Sequence, residues 1–351
     1  MKNLKINIFI AHTEYHFIQS LNIAMSYFKD GQYENQIHIT KKDNRFENVI
    51  DPKLNNNIKI TFHIERNQSE IVQQILKLKN CHRLFFFQEN SIYNRYIAYS
   101  LKKKHNTIVC LGPDGYKPYA IYNKKHETLS MIKDTFLDNF ELYRNNLITN
   151  KIFKSENYRY GSTGFIDEVW LSEISSFDVV HNKTKSKIKQ IKPFTVKSIT
   201  AIKLYFEKIP ILLKAKTKII LYFNQVYWTD ELINKEMEFL NNLNLHFNKI
   251  IYLKPHPATP IETIIKYKKI PNIEIVVSKL PAELFILDIK DSIIFSGWST
   301  ALITYNSTCN YYFNLPIYKN CGGKAIDQSK LTVLSHIKLI NKPSEMEFPN
   351  E

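Results

Sequence analysis

The chain has 351 residues, 44% of them hydrophobic and 13% aromatic, which is enough apolar surface for about two domains and too much for a disordered chain. Lysine and arginine number 48 against 33 acidic residues, a net charge of +15, and such an excess favours an anionic partner. No apolar run reaches the ~18 residues of a membrane-spanning helix, and Cys81, Cys110, Cys309 and Cys321 lack Cys-x-x-Cys spacing, which argues against a zinc site or disulfide framework and fits a reducing cytoplasm.

The opening MKNLKINIFIAHTEYH holds a short apolar run without a small-residue cleavage site, so it reads as a buried first strand and not as a signal peptide. The spacing predicts a strand over Lys5–Ala11, a helix over Phe17–Phe28, strands at Gln36–Thr40 and Ile58–Ile64, and a helix over Glu70–Lys79. A strand at Leu84–Phe87, a helix over Tyr93–Lys104 and a strand at Thr107–Leu111 follow. The alternation restarts with strands at Lys218–Phe223, Lys249–Leu253, Ile273–Val277 and Ser292–Phe295, interleaved with helices over Asp230–Leu243, Thr259–Lys269, Ala282–Leu287 and Thr300–Ser307. This is an α/β pattern with parallel sheets. Two such halves, separated by the basic stretch Lys183–Lys216, predict two Rossmann-like domains, 1–215 and 216–335, with 336–351 as a tail. From His181 to Lys218 there are eleven lysines and one acid, a local charge of +10. This segment suits an anionic membrane surface, a nucleic acid or an anionic polymer, or is simply a solvated surface in a lysine-rich chain.

In doubly wound sheets ligands bind beyond the carboxyl ends of the strands, and the unusual residues stand there. Only eight glycines occur, and two of them, Gly112 and Gly115, bracket Asp114. Glycines allow a sharp turn and close approach of a ligand, and a carboxylate held in such a turn is a candidate general base; an ordinary Pro-Asp-Gly turn is the competing reading. In Lys254-Pro255-His256-Pro257 two prolines fix the backbone around His256, which suits phosphate contact or proton donation. Ser299 and Thr300 open a predicted helix, a ready phosphate site or a simple N-cap. His12 and His16 stand four apart without a third ligand nearby, which favours a structural or substrate-contact role over zinc. There is no P-loop, no GxGxxG and no Asp-x-Asp.

Taken in order, Asp114-Gly115, Lys254-Pro255-His256-Pro257, Leu280-Pro281-Ala282-Glu283-Leu284 and Trp298-Ser299-Thr300 resemble bacterial sialyltransferases of GT-B architecture, of the lipooligosaccharide sialyltransferase and capsular polysialyltransferase type. The start AHTEYHFIQSLNIA and the stretch ILYFNQVYWTDE are similar to those families' opening strands, and the likeness spans most of Lys5–Tyr305 as short spaced motifs. Those families carry two acids before the glycine; here the first is Pro113, leaving Asp114 alone. The resemblance implies two Rossmann-like domains facing across a cleft, with acceptor binding in the first and nucleotide binding in the second. It implies inverting transfer of sialic acid from CMP-sialic acid to a sugar hydroxyl of a surface glycan terminating in galactose or sialic acid, without metal or other cofactor. Asp114 is then the base, His256 the acid or phosphate contact, and Ser299 and Thr300 hold the phosphate. Glu283 grips the ribose and Lys254 the cytosine, with Gln225 and Gly115 also at the substrate. The expected place is the cytoplasm, at the inner membrane through the Lys183–Lys218 region. Alternatives are a transferase using CMP-Kdo, another CMP-nonulosonate or a CDP-polyol. A nucleic-acid-binding protein is disfavoured because the lysines cluster with few aromatics. Linkage and oligomeric state are open.

Overall fold

The computed structural model describes residues 4–349 except 41–45, 47–48, 53–56, 64–66, 120–127, 155–159, 181–185, 207–216, 226–228, 279, 298 and 315–332. The chain divides into two compact units, one made of Met1–Pro193 with Thr200–Tyr205, the other of Phe194–Ile199 with Phe206–Glu351.

The first unit contains strands β1 (Lys5–Ala11), β2 (Tyr33–Ile39), β3 (Ile58–Phe62), β4 (Cys81–Phe86), β5 (Ile108–Leu111), β6 (Glu168–Leu171) and β7 (Lys187–Gln190). All pair in parallel in the order 3-2-1-4-5-6-7, so the order reverses between β1 and β4. Helices α1 (Glu14–Tyr27), α2 (Gln68–Leu76), α3 (Ile92–His105), α4 (Thr128–Arg144) and α5 (Ser175–Val180) connect them. Central strands buried on both faces need continuous apolar runs, and Ile8 to Ala11 and Leu84 to Phe87 supply them. Phe9 stacks on Phe85 with centroids 4.5 Å apart. Helix starts follow local chemistry. Thr13 caps α1 by accepting the His16 amide at 3.2 Å, and Ser91 caps α3 by accepting that of Asn94 at 3.4 Å. In this glycine-poor chain, asparagine takes the left-handed positions after α3 and α7, at Asn106 and Asn248.

The second unit contains β8 (Ile220–Phe223), β9 (Ile251–Lys254), β10 (Ile273–Ile275), β11 (Ile293–Ser296), β12 (Asn310–Asn314) and β13 (Ile337–Ile340), in the order 10-9-8-11-12-13 and again all parallel. Its helices are α7 (Asp230–Phe247), α8 (Ile261–Lys268) and α9 (Ala282–Ile286), and α6 (Val196–Lys203) spans the boundary between the units. Its core joins Tyr222, Phe239, Leu253 and Phe295 to Met346 and Phe348.

Three expectations change. The basic stretch is not a plain linker, because Lys187-Ile188-Lys189-Gln190 forms the edge strand β7. Its alternation of lysine and isoleucine suits an edge, where charge discourages further pairing. The stretch expected as a tail, 336–351, supplies β13 and two core side chains within its described part, 336–349. The predicted helix Thr300–Ser307 is a four-residue 3-10 turn, Thr300–Ile303. Beyond it Asn306 Oδ1 accepts the Thr308 amide at 3.1 Å and its hydroxyl at 3.0 Å, an alternative to helix that Asn readily offers.

Candidate active site

In the first unit, adjacent strands β1, β4 and β5 end side by side, and the segments that leave them meet. β5 ends at Leu111 and the chain turns through Gly112-Pro113-Asp114-Gly115. Gly115 has φ 57°, the left-handed region. Gly112 is needed for another reason: a Cβ there would lie 2.5 Å from Cε1 of Phe87, the residue just past β4. The Phe87 ring stacks on His16 with centroids 4.5 Å apart and an interplanar angle of 5°. His16, on the first turn of α1 and 1% exposed, places Nε2 at 3.1 Å from Asp114 Oδ1. The two glycines therefore serve the turn and its packing against this chain's own rings.

The hydrogen bonding assigns the imidazole tautomer. His16 Nδ1 accepts the His12 backbone N–H at 3.3 Å, so in the neutral ring the proton sits on Nε2 and is donated to Asp114. The other carboxylate oxygen, Oδ2, forms a close ion pair with Lys117. Burial pushes the Asp114 carboxyl up, but the His16 hydrogen bond and the Lys117 ammonium outweigh it and hold the group below its ordinary value of 3.8. Tyr160 donates its hydroxyl to the Gly112 carbonyl. Glu89, past β4, accepts from the Gly161 amide at 2.9 Å and from the Thr163 amide at 3.3 Å and hydroxyl at 2.6 Å. Burial raises its pKa in spite of these bonds.

In the second unit the expected residues stand at the ends of β8, β9 and β11. Lys254 closes β9 and is 6% exposed; its Nζ donates to the Ser278 carbonyl at 2.9 Å and lies 5.3 Å from the Phe285 ring centroid. Glu283, on the first turn of α9, is buried, and desolvation raises its pKa although the Lys254 ammonium opposes the shift. His256 is exposed; its Nδ1 accepts the Ala258 amide at 3.1 Å, which leaves the ring proton on Nε2. Lost hydration, helped by Lys254, lowers its pKa, which suits a neutral N–H donor better than a ready cationic acid. Ser299 is buried and caps the 3-10 turn by accepting the Ala301 amide at 3.3 Å, whereas Thr300 is exposed. Gln225 follows β8 and is half-buried; Trp298 lies outside the described residues. Lys254 and Glu283 come together here, while Asp114 and Gly115 belong to the other unit.

Two arrangements escaped the sequence reading. His16 was singled out for a structural or substrate-contact role but not as the partner of Asp114, from which it lies 98 positions away and to which it is brought only by sheet order. Beneath the His256 loop, Asn224 Nδ2 lies within 3.1 to 3.3 Å of Glu236 and Tyr267, and Asn224 Oδ1 accepts from Thr259 at 2.6 Å. Thr259 in turn donates its amide to the His256 carbonyl at 2.9 Å. One clue was in the sequence, since Glu236 occupies the apolar face of α7 between Leu232 and Phe239. Among the described residues no three His, Cys, Asp or Glu side chains gather as a metal-binding group.

The sialyltransferase from Photobacterium damselae, in a crystal structure of its GT-B domain, is 13% identical to this chain with a TM-score of 0.53, covering 88% of this chain and 91% of that one. A second crystal structure, of the sialyltransferase from Photobacterium damsela, is also 13% identical with a TM-score of 0.53, covering 96% of this chain and 81% of that one. At such identity the likeness shows the fold, which is GT-B. No curated protein matches the chain. The model of the alpha-2,8-polysialyltransferase (POLYST) family matches residues 2–313, so the chain belongs to the alpha-2,8-polysialyltransferase family and is a glycosyltransferase.

Proposed function

We propose that the chain transfers sialic acid from CMP-sialic acid to a hydroxyl of a glycan ending in sialic acid, with inversion and without a metal. The family name supports the linkage class, and the observation that carries the chemistry is the His16–Asp114–Lys117 arrangement at the end of β5. The acceptor hydroxyl attacks C2 of the donor sugar as the bond from C2 to the phosphate oxygen breaks, and CMP leaves with the bonding electrons. Asp114 takes the hydroxyl proton. His16 cannot compete for it while its Nδ1 is engaged by the His12 amide; it orients the carboxylate instead. A carboxylate of low pKa is a weak base, so it accepts the proton late, once bonding to C2 has made the hydroxyl acidic.

The second unit holds the nucleotide in this reading. His256 donates its Nε2 proton to the phosphate as a hydrogen bond, with Ser299 and Thr300 beside it. Lys254 meets the base, Glu283 the ribose, and Gln225 also contacts the donor; Gly115, in the first unit, belongs with Asp114 on the acceptor side. The protein works on the cytoplasmic side of the inner membrane, where Lys183–Lys218 draws it to anionic lipid; part of that segment, 181–185 and 207–216, lies outside the described residues. Release of CMP over a panel of donors and acceptors tests the reading. CMP should appear with CMP-sialic acid and a sialic-acid-terminated acceptor together. Turnover with CMP-Kdo or a CDP-polyol in its place would reject the donor assignment.

A further inference from the structure

Helix α4 turns an apolar stripe outward. Leu129, Ile132, Phe136, Phe140 and Tyr143 recur at intervals of three and four and are between 50% and 78% exposed. That spacing puts them on one face of a 17-residue helix, roughly 25 Å long at 1.5 Å per residue. Phe136 and Phe140 stack with centroids 6.0 Å apart. Soluble surfaces scatter single apolar residues but rarely align them so.

The charges on α4 are sorted. Its exposed charged residues are Lys133 and Arg144, both cationic. Its three acids are less exposed. Asp138 lies 3.7 Å from Arg95 on α3, and Glu141 accepts from the Tyr93 hydroxyl at 2.7 Å. Just beyond the helix, Ile148 and Ile152 are 71% and 68% exposed, beside an exposed Lys151. The face is therefore apolar and basic, without an exposed acid on the helix.

We propose that this face of α4 lies in the interface of an anionic lipid bilayer. An interfacial helix places its apolar side about 5–10 Å into the headgroup and acyl boundary and keeps basic residues at the phosphates. The chain's net charge of +15 adds long-range attraction. A second copy of the chain is a poorer occupant, because two such faces would set Lys133 and Arg144 against their like with no exposed acid of α4 to pair them. The proposal concerns α4 and not the Lys183–Lys218 segment, and it stands apart from the donor and acceptor assignments.

The test is co-sedimentation of the full chain with vesicles of phosphatidylglycerol in phosphatidylcholine, and with phosphatidylcholine alone. Wild type should bind the anionic vesicles and bind less as salt rises. Phe136→Asp with Phe140→Asp should weaken binding at least about tenfold, since two rings no longer enter the interface. Lys133→Glu with Arg144→Glu keeps the stripe and should weaken binding to the anionic vesicles more than to the neutral ones. Lys268→Gln with Lys269→Gln, exposed residues of the second unit that carry the same two charges, should leave most of the binding intact. Circular dichroism checks that each variant is folded, and CMP release on a water-soluble acceptor is followed separately. Binding by the doubly aspartate variant equal to wild type, or no binding by wild type, overturns the proposal. So does a wild-type dimer that the phenylalanine variant splits.

Discussion

Asp114 sits under opposed influences, with burial favouring its neutral form and His16 and Lys117 favouring its charge. Asn at this position keeps the size and the turn preference but accepts no proton. Asp114→Asn should lower transfer about 10²–10⁴-fold while CMP binding, measured by calorimetry on the same preparation, stays near wild type. Lost CMP affinity would reassign Asp114 to the donor site. Lys117→Gln tests the electrostatics. Removing a cation that holds the carboxyl down lets its pKa rise, so the acid limb of kcat/KM should move to higher pH. An unmoved or lowered limb would mean that another group sets it.

Paired elements position that carboxylate. β4 and β5 lie side by side, and the Phe87 ring fills the space a side chain at Gly112 would need. Gly112→Ala should cost about 1–3 kcal/mol by overpacking and slow transfer as well, because Phe87 stacks on His16. Adding Phe87→Leu should recover part of the thermal stability; no recovery would place the strain elsewhere. In the second unit, Glu236 on α7 ties the end of β8 to the His256 loop. Burial pushes its carboxyl well above the ordinary 4.5, so the folded protein keeps a proton that the unfolded chain releases. Stability from this group is thus full below about pH 4.5 and declines as pH rises toward the folded pKa. Glu236→Gln has no proton to lose. Its melting temperature relative to wild type should climb as pH rises above the ordinary carboxyl value of 4.5, and a flat difference would show that Glu236 is ionised in the fold.

At the scale of the molecule, each sheet is complete only with strands that the spacing did not mark. β13 covers the edge of β12 and brings Met346 and Phe348 to the core. A chain ending at Ser335 should lose roughly 1.5–3 kcal/mol for each buried apolar side chain removed and expose the β12 edge. Soluble protein from that truncation melting at the wild-type temperature would show that the last residues are dispensable.

The long periodic segments were legible: β1 with α1, β4 with α3 and β5, and the β8 to β11 succession lie within a few residues of their expected places. So were the positions of Asp114 and His256 beyond strand ends, with Lys254 closing β9, because glycine, proline and charge at the close of an apolar run mark where a strand stops. β6, β7, β12 and β13 were not: they are no shorter than β8 and β9, but no helix was expected between Leu111 and Lys218 or after Ser307, so the strand–helix alternation that set off the others was missing around them. α4 was missed because apolar residues lie on both its sides, Leu142 inward and Phe136 outward. Strand length, helix caps and turn chemistry are local, and the sequence by itself determined them. Tertiary structure alone decided that His16 reaches Asp114, that the Gly112 hydrogen makes room for Phe87, and that the stripe of α4 faces out. Each depends on which strands become neighbours, and that order comes from burying both faces of a whole sheet at once.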